Sequence, residues 1–223
     1  MSRESPPGRR SIALWDLPLR LVHWSLVVLL AGLWWTWRTG NTELHEQLGY
    51  VTFGVLLFRL YWGLFGSATA RFSQFVKGPR EIAAYLRGGS SGQIGHNPIG
   101  ALSVLLLLGL MIVEVGFGLF AQDIDGIEAG SLARFISYDA ADAARSWHAL
   151  LFNVILGVVA LHVLAILFYL VVKRDNLVGP MVSGRKIVDD EMDAPAMAPL
   201  SRALIGIALA AVLSWWVARG LRL

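Results

Sequence analysis

The sequence predicts an all-α membrane protein: a four-helix transmembrane bundle followed by a fifth, C-terminal transmembrane helix. Three observations predict it. Hydrophobic residues make up 56% of the 223 positions and charged residues only 16%, against about a quarter charged in soluble domains. Five apolar segments approach the roughly 20 residues that cross a bilayer as a helix. Aromatic residues, among them Trp34, Trp35, Trp37, Trp62, Trp147, Tyr169, Trp215 and Trp216, gather near the ends of those segments, as interfacial belts do.

The first segment runs from about Pro18 to Trp37, with Asp16 as its N-cap and Pro18 in its first turn. The second covers about Gln47 to Phe65, and the third begins after His96-Asn97-Pro98 and ends near Phe120. The fourth spans about Trp147 to Val172 and the fifth about Leu200 to Ala218. Gly88-Gly89-Ser90-Ser91-Gly92 breaks the loop before the third. The acidic, Ala/Pro-rich stretch from Asp189 to Pro199 reads as a flexible link. The expected organisation is therefore a cytoplasmic N-terminal tail (1–15), a four-helix core (16–175), a cytoplasmic linker (176–199) and an additional helix (200–223). The first apolar run, with no small-residue cleavage site after it, is expected to stay as an anchor.

Lysine and arginine alternate along the connections. Arg3, Arg9, Arg10 and Arg20 precede or open the first span, and Arg38 stands alone in the first loop. Arg71, Lys77, Arg80 and Arg87 occupy the second loop, Arg134 and Arg145 the third. Lys173, Arg174, Arg185, Lys186 and Arg202 follow the fourth span, with Arg219 and Arg222 after the fifth. The positive-inside bias then places the N-terminus in the cytoplasm and the C-terminus outside. The third loop, with Asp123, Asp125, Glu128, Asp139 and Asp142, is an acidic external face. A net charge of +3 distributed this way speaks for orientation in a bilayer and against nucleic-acid binding.

Cysteine is absent, which removes disulfides, thiolate metal sites, iron–sulfur clusters and covalent haem attachment. Histidine is left as the chemistry-bearing residue. His45 opens the second span and His148 the fourth, so both belong at one level near the outer face. His162 follows His148 by fourteen residues, about 21 Å along a helix and only about 40° short of whole turns. The two imidazoles share a face and lie toward opposite sides of the bilayer. His23 lies about fifteen residues before the outer end of the first span, which matches the depth of His162. Two pairs result, His45 with His148 and His23 with His162, as bis-imidazole ligation of two haems by facing helices requires. A single histidine at a span end is more often an interfacial polar residue than a ligand. Four that match pairwise in depth favour ligation.

The residues Trp15-Asp16-Leu17-Pro18-Leu19-Arg20-Leu21-Val22-His23-Trp24 resemble the opening of the bacterial cytochrome b561 family, which includes the b-type cytochrome subunits of nickel–iron hydrogenases. The runs His45-Glu46-Gln47-Leu48-Gly49-Tyr50 and Gly95-His96-Asn97-Pro98-Ile99-Gly100-Ala101, and the helix carrying His148 and His162, are similar to the same family, as is Gly118-Leu119-Phe120 before an acidic loop. The resemblance covers about residues 11 to 175. It implies a four-helix core with two b haems on His23, His45, His148 and His162, and electron transfer between quinone and a partner redox protein. The acidic external loop adds the expectation of a basic extracytoplasmic partner, a c-type cytochrome or another redox protein.

Other charged or polar groups carry weaker signals. His96 has no counterpart at its depth and is expected at the interface, near a haem propionate or a quinone. Arg20 and Arg38 suit propionates or lipid headgroups equally. Arg59 and Glu114 lie inside spans and are expensive there unless paired or wet. They differ in depth, so they are not expected to pair. Arg59 is expected toward the inner haem, and Glu114 either in a polar pocket serving quinol protons or bonded to a neighbouring helix. A proton or metal-ion transporter, or a non-redox anchor subunit, is the rival reading of the same intramembrane residues. The Trp-rich helix ends permit an oligomer.

Overall fold

The structure is a computed structural model that describes residues 8–88, 95–123, 125, 128–189 and 192–222. The glycine-serine break expected at 88–92 lies, beyond Gly88, outside the described residues. In chain order the elements are β1 (Arg9–Ala13), α1 (Leu17–Thr39), α2 (Thr42–Phe65), α3 (Phe72–Phe75), α4 (Pro79–Leu86), α5 (Pro98–Phe120), α6 (Tyr138–Val171), α7 (Val178–Ser183), β2 (Arg185–Asp189) and α8 (Leu200–Ala218). A single 3₁₀ turn, Ala133–Phe135, precedes α6. Five of the helices, α1, α2, α5, α6 and α8, are long and apolar enough to cross a membrane.

Local chemistry starts α1 and α5 where the sequence leads one to expect, and α2 five residues earlier. The Asp16 carboxylate accepts from Leu19 N at 2.7 Å, with Pro18 in the first turn of α1. Asn41 caps α2, Asn97 caps α5 beside Pro98, and Ser137 caps α6, each accepting from the amide three residues on. Helix α6 begins nine residues earlier than hydrophobicity alone indicates. Its 34 residues reach about 51 Å, well beyond a hydrocarbon core of about 30 Å. Its polar opening, with Asp139, Asp142 and Arg145, therefore stands clear of the apolar layer.

Close packing joins α1 to α2, α2 to α5 and α8, and α5 to α6. Helix α2 is thus the centre, with Leu56 and Trp62 almost completely buried. Leu56, Leu108, Met111 and Ile155 form the core between α2, α5 and α6. Outward-facing leucines, valines and tryptophans remain exposed along every span, as a lipid-facing surface requires.

Helix α8 is seated on α2 by small residues. Ala203, Gly206, Ala210 and Ser214 are its buried positions, a spacing that lets two backbones approach. A Cβ at Gly206 would fall 2.3 Å from Tyr61 Cδ1, so any side chain there drives the helices apart. Ser214 Oγ donates to the Tyr50 carbonyl at 2.6 Å and locks the register.

The two segments read as tail and linker meet one another. β1 and β2 pair antiparallel, from Arg9 opposite Asp189 to Ala13 opposite Arg185. The stretch before α8 is tied down as well: Ala68 N donates to Ala196 O at 2.9 Å and Ala198 N to Ser67 Oγ at 2.9 Å. Backbone pairing is what hydropathy could not reveal, because an extended polar strand and an unstructured link share one composition. This small sheet marks one end of the bundle, called the sheet end below.

Candidate functional site

The four histidines singled out by spacing stand on three helices: His23 on α1, His45 on α2, and His148 and His162 on α6. The structure brings His45 and His148 together at the end opposite the sheet, their ring centroids 6.1 Å apart and their planes at 87°. Two imidazoles that bind one metal ion from opposite sides, through bonds of about 2 Å each, hold their centroids at roughly this separation.

The outward nitrogen of each ring is fixed. His45 Nδ1 lies 3.1 Å from the Leu33 carbonyl and 3.1 Å from Thr36 Oγ1. His148 Nδ1 lies 3.0 Å from the Glu114 carbonyl and 3.2 Å from Glu114 Oε1. A carbonyl oxygen only accepts, so Nδ1 carries the proton in both rings and Nε2 keeps its lone pair. That is the tautomer a metal-ligating histidine adopts when a neighbouring acceptor orients it. Gly118 makes room for the His148 ring, since a Cβ there would lie 3.0 Å from its Cε1.

Nearer the sheet end, His162 Nδ1 lies 3.2 Å from Ser103 Oγ. His23 packs edge-on against Trp24, the ring centroids 5.0 Å apart, and is within electrostatic reach of His162. Its Nδ1 is buried without a hydrogen-bond partner among the described residues. Helices α1 and α6 are not among the closely packed pairs. No three His, Asp or Glu side chains among the described residues converge on one point. The fixed tautomers and the separation of the outer pair fit a flat macrocycle ligated on both faces.

The remaining candidates separate clearly. Glu114, buried within its span, directs both its carbonyl and its carboxylate at His148. Of the two expectations for Glu114, the bond to a neighbouring helix is the one realised; sequence spacing did not single out His148 as its partner, 34 positions away on another helix. Arg59 is 5% exposed, its guanidinium 4.9 Å above the Phe72 ring, with Nη1 donating to the Ala70 carbonyl at 3.4 Å. Arg20 donates to the Val182 carbonyl on α7, while Arg38 is exposed at the opposite end.

His96 lies between Trp15 and Phe75, 4.7 Å from each ring centroid. Burial, and then the charge of Arg59, hold its pKa down to about 4. The ring is neutral at physiological pH.

A family model described as prokaryotic cytochrome b561 matches residues 14–184. A protein of Azotobacter chroococcum mcd 1 described as "Probable Ni/Fe-hydrogenase B-type cytochrome subunit" is 27% identical over 228 residues, covering 85% of this chain and 94% of that protein. No solved structure matches the chain.

Proposed function

Because the chain belongs to the prokaryotic cytochrome b561 family and so is a membrane b-type cytochrome of electron transfer, we propose that it holds two b haems and passes electrons between the quinone pool and an extracytoplasmic redox partner. His45 and His148 would hold one haem and His23 and His162 the other. Haem b, when bound, supplies a one-electron redox centre.

The observation that carries this reading is the His45–His148 pair, 6.1 Å between centroids, with each Nδ1 turned to a backbone carbonyl. The chain's own contribution is to present these imidazoles through Nε2, to hold the orientation of His45 from Leu33 and Thr36, of His148 from Glu114 and of His162 from Ser103, and to surround them with apolar side chains. Two protein ligands per iron leave no open coordination position, which suits electron transfer and not reaction of the iron with a substrate.

Orientation follows from the charge pattern. The sheet end carries Arg9, Arg10, Arg71, Lys77, Arg80, Arg185 and Lys186 and faces the cytoplasm, with the N-terminus on that side. The acidic connection before α6 then faces outward and docks a basic partner, a c-type cytochrome or another redox protein. The likeness to a hydrogenase cytochrome subunit supports an electron-donating enzyme as that partner.

The test is a reduced-minus-oxidised absorption spectrum of purified protein with haem quantified per chain, repeated for His162→Ala. Two low-spin b haems, one of them lost or made high-spin in the variant, is the expected result. Protein made with ample haem that binds none overturns the reading.

A further inference from the structure

Three nitrogen-bearing side chains near the sheet end, Arg59, Arg71 and His96, have no ion-pair partner among the described residues. Arg59 is buried inside a span, and among the described residues no carboxylate lies within the 4.0 Å of an ion pair. Its hydrogen bond to the Ala70 carbonyl, 3.4 Å, is long. Asp16 acts on it through the field, while the Asp16 carboxylate accepts from Leu19 N at 2.7 Å and Trp62 Nε1 at 2.9 Å. The next residue after Ala70, Arg71, buries its Nε without a partner among the described residues, and so does His96 its Nδ1. Phe72 under Arg59, Phe75 at 5.8 Å from it, and His96 at 4.7 Å from Phe75 connect Arg59 to His96, and Arg71 sits in the chain between Ala70 and Phe72, the two residues that Arg59 touches.

Such a cluster is costly in a membrane protein. A buried guanidinium within a span requires a counter-charge or water, and shielded polar atoms without partners mark a group they are built to meet. Two or more cationic and donor groups with no acid among them select a carboxylate, which a guanidinium fork binds best.

The cluster also stands at a definite depth. Leu33 meets His45 and Asp16 meets Trp62, a register between α1 and α2 that sets Arg59 level with Leu19. That is four residues, or about 6 Å, nearer the sheet end than His23. His96, packed on Trp15, lies lower still. The groups therefore lie on the sheet-end side of the level of His23.

We propose that Arg59, Arg71 and His96 form the receptor for the propionate carboxylates of the haem held by His23 and His162. This rests on the di-haem reading above and assigns the orientation of the inner macrocycle, its acidic edge toward the cytoplasm. Arg59 is a positioning and potential-setting residue: a fixed positive charge beside the macrocycle favours the reduced state.

Potentiometric titration of both haems in purified Arg59→Gln protein tests this, with the inner haem identified by its loss in His162→Ala. The midpoint of the inner haem is expected to fall by about 59 mV, tenfold in a one-electron equilibrium, while that of the outer haem stays in place as an internal reference. Arg71→Gln lowers the same midpoint, and Arg59→Lys, which keeps the charge, recovers most of it. An inner haem lost from Arg59→Gln yet kept in Arg59→Lys supports the receptor equally. Unchanged midpoints, equal shifts at both haems, or loss of haem from both Arg59 variants overturn it. Wild-type protein that binds no haem would instead sink the reading beneath it.

Discussion

Glu114 reaches His148 twice, through its carbonyl at 3.0 Å and its Oε1 at 3.2 Å, both measured to Nδ1. The backbone contact fixes the tautomer, and the side chain adds a second acceptor to the same N–H. One residue of α5 thus orients the outermost histidine of α6 and increases its basicity. The consequence is separable, because substitution removes the carboxyl group and leaves the carbonyl.

Glu114→Gln should therefore retain both haems but weaken the electron donation of His148 to its iron. The outer-haem midpoint is expected to rise by up to about 59 mV, tenfold in the one-electron equilibrium, with the inner midpoint unaffected. Redox titration followed at the two absorption bands reads this directly. A shift confined to the inner haem would contradict the pairing of His148 with His45.

Replacement of Gly206 should loosen the fifth helix without touching the haem ligands. A side chain there meets Tyr61 at 2.3 Å and Phe58 at 3.1 Å, and overpacking of this kind costs about 1–3 kcal/mol. Gly206→Val should lower the thermal midpoint measured in detergent while haem content stays at the wild-type value. If Tm is unaltered, α8 is not held by this contact.

Acid should destabilise the fold through His96. Its folded pKa, about 4, lies below the ordinary 6.5, so between these values the unfolded chain binds the extra proton. Stability rises with pH across that window, and falls as pH drops from about 6.5 toward 4. The full effect is roughly 3 kcal/mol. Thermal unfolding at pH 7 and pH 4.5 should show a smaller acid penalty for His96→Phe than for the wild type; equal penalties exclude His96 as the source.

The acidic outer connection should make electron exchange with a basic extracytoplasmic carrier sensitive to salt. Asp123, Asp125, Glu128, Asp139 and Asp142 raise the encounter rate, and the Debye length contracts to about 8 Å near physiological ionic strength. Stopped-flow haem oxidation by such a carrier should slow several-fold between low and physiological salt. A rate indifferent to ionic strength would remove this face as the docking surface.

The sequence by itself determined the five spans, the cap at Asp16, and the common depth of His45 and His148. These are one-dimensional properties: hydropathy counts residues against bilayer thickness, and a regular rise of 1.5 Å per residue turns spacing into depth. Tertiary structure alone decided what each polar group meets sideways. Glu114 on His148, Arg59 above Phe72, His96 between Trp15 and Phe75, and Gly206 under Tyr61 all depend on the azimuth and register of separate helices. The same holds for the strand that joins residues 9–13 to 185–189, where polar composition gave no pairing signal. Depth is written along the chain; neighbourhood arises only when helices choose which faces to bury.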